Sequence, residues 1–135
     1  MPPSRLPSLF VSHGSPMMTL ENSPTASFLD QLGNALPRPR AVVVASAHFV
    51  AGRPTASGHP KPATIHDFGG FPEALYRIQY PAPGSPALVR EVEALLAHAG
   101  FGAGLDEGIG LDHGTWVPLL RMYPRADVPV SRAIG

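Results

Sequence analysis

Hydrophobic positions in this chain fall into short runs that end on polar or turn-forming residues, and those runs set the predicted elements. The stretch Ala41-Val42-Val43-Val44-Ala45-Ser46-Ala47 carries no charge and stops at His48. An unbroken run of that length reads as a strand buried on both faces of a parallel sheet, because a half-exposed strand would alternate polar with apolar. Leu9-Phe10-Val11-Ser12-His13 repeats the plan and turns at Gly14-Ser15-Pro16. Between the two runs, Ser23 and Pro24 predict a helix start, Phe28, Leu29, Leu32 and Leu36 follow at helical spacing, and Pro37 and Pro39 end the helix. Strand, helix, strand in that order predicts a right-handed βαβ unit with parallel strands.

Downstream, Val50 to Ala63 is rich in Gly, Pro, Ser and Thr and reads as a loop. Thr64 to Pro72 is a glycine-bearing loop, and Glu73 to Ile78 a short helix. Ser85 and Pro86 cap the clearest helix, with Leu88, Val92, Leu95, Leu96 and Ala99 as its apolar stripe, Arg90, Glu91 and Glu93 as its wet face, and Gly100 as its stop. Gly100 to Gly110 holds a short edge strand, Thr115 to Met122 a helix, and Asp127 to Val130 the beginning of a further strand. The predicted fold class is α/β, a central, largely parallel sheet flanked by helices.

Composition narrows the function. Ten Lys and Arg against ten Asp and Glu give a neutral chain of 135 residues, with no basic surplus for nucleic acid or an anionic membrane surface. Cysteine is absent, so histidines and carboxylates must supply any metal ligands. The proline-rich Met1 to Pro7 does not read as a leader peptide, and no apolar run approaches the ~20 residues of a membrane span. The expected setting is cytoplasmic.

Histidines carry the candidate chemistry. In open α/β sheets the ligand crevice lies outside the carboxyl ends of the strands, where His13 and His48 are predicted to fall. Two parallel neighbours would open both imidazoles onto one crevice and let them share a metal ion; each alone reads first as a hydrogen-bonded core histidine. His113, between Asp112 and Gly114 at a helix start, is placed either to move a proton near neutral pH or simply to serve as a turn residue. His66, beside Asp67 in the glycine-flanked loop, is either a substrate contact or a plain loop residue. His59 and His98 read as solvent-facing. No phosphate loop, dinucleotide fingerprint or nucleophile elbow is present.

Taken together, Leu9 to Met17, Pro37-Arg38-Pro39-Arg40 leading into Val44 to His48, Thr64 to Pro72, Tyr80-Pro81-Ala82-Pro83-Gly84, and Leu111-Asp112-His113-Gly114-Thr115-Trp116 resemble the class III extradiol ring-cleavage dioxygenases of the DOPA 4,5-dioxygenase type, relatives of the protocatechuate 4,5-dioxygenase catalytic subunit. The resemblance runs in order from about Leu6 to Val130, with Ser131 to Gly135 departing from it. It implies that His13 and His48 bind a metal and that His113 orients substrate; the loop residues His66 and Asp67 are the expected substrate contacts. Fe(II) is the cofactor it implies for catalysis, with Zn(II) able to occupy the same site, and the substrates are a small aromatic diol and O2. Family members are about twice as long, and their second half carries the base and third metal ligand. Residues 1–135 therefore read as the N-terminal half of such a domain, an incomplete version of a larger single domain, with no second domain. Two other readings stay open: a non-catalytic module that needs a partner chain or forms a homo-oligomer through an unpaired sheet edge, and a zinc-dependent hydrolase.

Overall fold

A computed structural model describes residues 5–134. Residues 1–4, on which the reading of the leader partly rests, and Gly135 lie outside the described residues. The elements are a 3-10 turn (Pro16–Thr19), α1 (Pro24–Ala35), β1 (Val42–Ala45), β2 (Thr55–Ser57), α2 (Glu73–Tyr76), α3 (Pro86–His98), β3 (Gly104–Asp106), α4 (His113–Met122) and β4 (Val130–Ile134). The strands form one sheet in the order β1-β4-β2-β3. β1 with β4 and β2 with β3 are parallel, while β2 with β4 is antiparallel. The fold is thus mixed α/β, with a mostly parallel sheet flanked by helices.

Local chemistry sets the helices as the sequence predicts. Ser23 and Ser85 each accept a backbone N–H of the first turn, from Ala26 and Leu88, and a proline follows each cap. Gly100, at φ +92, takes the left-handed conformation that stops α3. α1 packs on α4 at Gly33, where a Cβ would strike the Met122 backbone. The core between them gathers Leu29, Leu75, Leu111, Trp116, Val117 and Val130. Burying side chains of this size contributes about 1.5–3 kcal/mol each. Trp116 donates its ring N–H to Ile65 O at 2.8 Å, so its polar atom is satisfied inside the core.

Several expectations are corrected. Leu9 to His13 is not a strand: the segment pairs with no neighbour, and Phe10 is fully exposed. A strand needs a ladder partner, and β4, not this segment, takes the side of β1 that is bonded. The predicted βαβ unit is therefore absent. β1 itself is an edge strand, with Val42 and Val44 packed on the core while Val43 and Ala45 are exposed. The strand enclosed between neighbours is β4, in which Val130, Ser131 and Arg132 are all buried. The loop from Val50 to Ala63 contains β2, in which Thr55 and Ala56 are paired on both sides and Ser57 with β3. The buried stripe of α3 centres on Val89, flanked by Leu88, Val92 and Leu96; Leu95 and Ala99 are exposed because the helix meets the sheet near its N-terminal half. Among the described residues, no helix is long and apolar enough to cross a membrane.

Candidate metal centre

Three chain segments deliver three imidazoles to one place. His13 arrives on an irregular segment that turns at Gly14 (φ +58) into the short 3-10 turn, whose N-cap Ser15 accepts from Met17 N. His48 follows the end of β1, its backbone N–H held by Ser46 Oγ at 3.2 Å. His113 opens α4, capped by Asp112. The bond from the Asp112 carboxylate to Gly114 N satisfies a donor that the helix leaves open.

The ligand nitrogens of His13, His48 and His113 lie within 4.8 Å of one another, and among the described residues they are the one such group of three. His13 Nε2 and His48 Nε2 stand 2.7 Å apart. Two bare lone pairs repel at that distance, so a proton or a shared cation must lie between them. The rings of His48 and His113 are closer still in stacking, with centroids 4.0 Å apart and planes 32° from parallel. Burial, and then the neighbouring His113 and His48, hold the His13 imidazole below its usual pKa. A neutral ring keeps a lone pair for a metal. The chemistry of the set, three imidazoles with close ring nitrogens, fits a borderline cation such as Fe(II) or Zn(II).

Two carboxylates fix the rings from behind. Asp67 Oδ1 accepts from His113 N at 2.9 Å and pairs with His113 Nδ1 at 2.8 Å, which leaves Nε2 as the free ring nitrogen. Burial pushes the Asp67 carboxyl up, but the backbone N–H and ring of His113 outweigh it and leave it below the usual carboxylate range. Asp112 is almost wholly buried and accepts from Ser46 Oγ, Thr115 Oγ1, Gly114 N and the Arg132 guanidinium. Burial raises its pKa too, and the bonds from Ser46, Arg132 and Thr115 again win, lowering it overall. Arg132 lies over the Phe49 ring at 4.0 Å.

A cleft of about 630 Å³ opens beside these rings, walled by His13, His48, Val42, Val44, Pro118 and Leu119. Of the other singled-out residues, His66 points elsewhere, its Nε2 paired with Ile78 O at 2.7 Å and its ring edge-on to Trp116. Asp67 reaches the site through His113. His59 and His98 are exposed. Ser46 and Arg132 went unread in the sequence. A lone arginine between apolar neighbours, in Val130-Ser131-Arg132-Ala133-Ile134, was the available signal, since such a charge needs a buried partner.

Comparison with known proteins agrees with this geometry. The family described as the catalytic LigB subunit of aromatic ring-opening dioxygenase matches residues 7–134, so the final strand follows the family pattern that the sequence reading ended at Val130. The chain is 49% identical over 131 residues to a 4,5-DOPA dioxygenase extradiol of Escherichia coli, covering 96% of this chain and 48% of that protein. To the protein of the same name in Beta vulgaris it is 44% identical over 127 residues, covering 91% and 47%. A crystal structure of an uncharacterized protein, JW3007, from Escherichia coli superposes with a TM-score of 0.65 at 37% identity, over 84% of this chain and 41% of that one. The chain spans about half the length of the curated relatives it matches. On the residues matched and the identity of these relatives, the chain belongs to the family of the catalytic LigB subunit of aromatic ring-opening dioxygenase.

Proposed function

We propose that this chain takes part in extradiol cleavage of a catechol-type aromatic by O2, with a non-haem metal held by His13 and His48. The observation that carries the reading is the convergence of three imidazoles from distant segments in a chain of this family. Bound Fe(II) would supply an open, redox-active centre for a diol and dioxygen, whereas Zn(II), lacking an accessible redox change, would not.

The chain's own groups supply the rest. His13 and His48 offer ring nitrogen lone pairs. His113, its Nδ1 side taken by Asp67, presents Nε2 to exchange a proton with a diol hydroxyl. Asp67 acts through that ring as a positioning residue, and His66, its Nε2 taken by Ile78 O, holds the loop that carries Asp67. Val42, Val44, Pro118 and Leu119 give the cleft an apolar wall that excludes water and suits a flat aromatic ring. In domain terms the chain is one half of a dioxygenase domain.

The test is anaerobic loading with Fe(II), addition of DOPA, then air. A yellow semialdehyde is expected. No colour from protein of the full mass rejects activity of this chain alone, and turnover of an ester with zinc but not iron would favour a hydrolase instead. A second reading, a module completed by another polypeptide, is favoured by one observation. Among the described residues β1 keeps an unpaired edge, and Leu9, Phe10 and Val43 are exposed along the same cleft.

A further inference from the structure

We propose that Ser46 and Asp112 form a rigid link that sets the spacing of His48 against His113, making both positioning residues for metal uptake. The inference rests on the metal reading above. Ser46 Oγ holds the His48 backbone N–H with one lone pair and donates its own proton to Asp112 Oδ2 at 2.5 Å. Asp112 in turn caps the helix whose first residue is His113. One hydroxyl and one carboxylate thus tie the end of β1 to the start of α4, with a metal-site imidazole on either side. Both are buried, Ser46 at 8% and Asp112 at 2% exposure, so the link is made largely out of water.

Two further observations point the same way. Gly114 leaves no room for a side chain, because a Cβ there would meet Ser46 Oγ at 2.5 Å, His48 Cδ2 at 2.8 Å and Asp112 Oδ2 at 3.0 Å. The backbone of α4 is therefore pressed against the link. Arg132, 2% exposed, clamps the other oxygen of Asp112 from β4, which prevents the carboxylate from rotating away. The sheet, the helix and the strand end converge on one anion.

Removing a partner that orients a ligand typically weakens metal affinity about 10- to 100-fold. Co(II) titration of the full chain, followed by its visible absorption, reads this directly. Ser46→Ala cuts the tie to His48 and leaves Arg132 on Asp112; at least about tenfold weaker Co(II) binding is expected, with an altered absorption envelope. Thr115→Val removes a different hydrogen bond to the same carboxylate without touching His48, and should change affinity less than about twofold while lowering thermal stability. Equal affinity in wild type and Ser46→Ala overturns the inference, as does an equal loss in both variants. Absence of Co(II) binding by wild type would reject the metal reading. The link is then judged in metal-free protein by the ring-to-ring nuclear Overhauser contact between His48 and His113, expected in wild type and lost in Ser46→Ala. Its persistence in Ser46→Ala overturns the proposal.

Discussion

Asp67 grips His113 twice, at its backbone N–H and at ring Nδ1, through a single carboxylate oxygen. One bond fixes where α4 begins and the other fixes how the ring is turned. Asp67→Ala should therefore release the ring while the helix, still capped by Asp112, persists. Nitrogen chemical shifts of the His113 ring are expected to move as Nδ1 loses its fixed partner, with unchanged helical circular dichroism. Ring shifts unchanged in the variant would remove Asp67 from its role.

Acid should weaken the protein through its two histidine-supporting carboxylates. Asp67 and Asp112 both lie below the usual carboxylate range when folded, so each binds its proton more weakly than in the unfolded chain. Their contribution to stability is complete above the unfolded value of about 3.9 and disappears as pH falls through the lower folded value. Urea unfolding at pH 7 and at pH 3 checks this. The stability gap between wild type and Asp67→Ala is expected to shrink at the lower pH; a gap that widens would contradict the sign.

The Asp112–Arg132 pair predicts an asymmetry between single and double substitution. Arg132→Met leaves a buried carboxylate without its cation and should cost about 3–5 kcal/mol. Combining it with Asp112→Asn removes the stranded charge, and the amide oxygen can still accept from Gly114 N while its NH2 donates to Thr115 Oγ1. The double variant is therefore expected to be more stable than Arg132→Met alone, by denaturant titration. Strict additivity of the two losses would show that the pair is not coupled.

Gly114→Ala sets helix propensity against crowding. Alanine favours a helix by about 1 kcal/mol over glycine. Here the added methyl is forced onto Ser46, His48 and Asp112. Lower thermal stability and weaker Co(II) binding are the expected outcome, and a gain in stability with intact metal binding would mean that the site gives way easily.

The open side of β1 bears on association. A charged residue on an edge strand discourages pairing with another chain. Sedimentation velocity over a range of concentrations should show wild type self-associating and Val43→Lys sedimenting as a monomer. A wild-type chain that stays monomeric at all concentrations would count against an edge that seeks a partner.

Capping and helix spacing were legible in the sequence because they depend on residues close together. Ser23-Pro24 and Ser85-Pro86 mark helix starts by their own hydrogen bonds, whatever the rest of the chain does. Sheet position was less legible, since it depends on distant partners. Val42 to Ala45 has the composition of an inner strand but occupies the edge, whereas β4, bearing a serine and an arginine, is enclosed. Those polar side chains are tolerated there because Ser131 Oγ donates to Ser57 O and Arg132 pairs with Asp112, neither of which a periodicity argument can see. His13 and His48 were expected to meet as ends of adjacent parallel strands; they meet, yet His13 comes in on a segment with no strand pairing.

The register of β4 has a further consequence for how the molecule comes together in time. Ser131 and Arg132 face opposite ways, one toward Ser57 and the other toward Asp112, so slipping the strand by a single residue would turn the guanidinium from its anion. A growing polypeptide emits both early imidazoles well before this arginine. Until that strand sits in register the guanidinium clamp on Asp112 is missing, so the hold on the carboxylate between His48 and His113 doubles as a check on correct strand alignment.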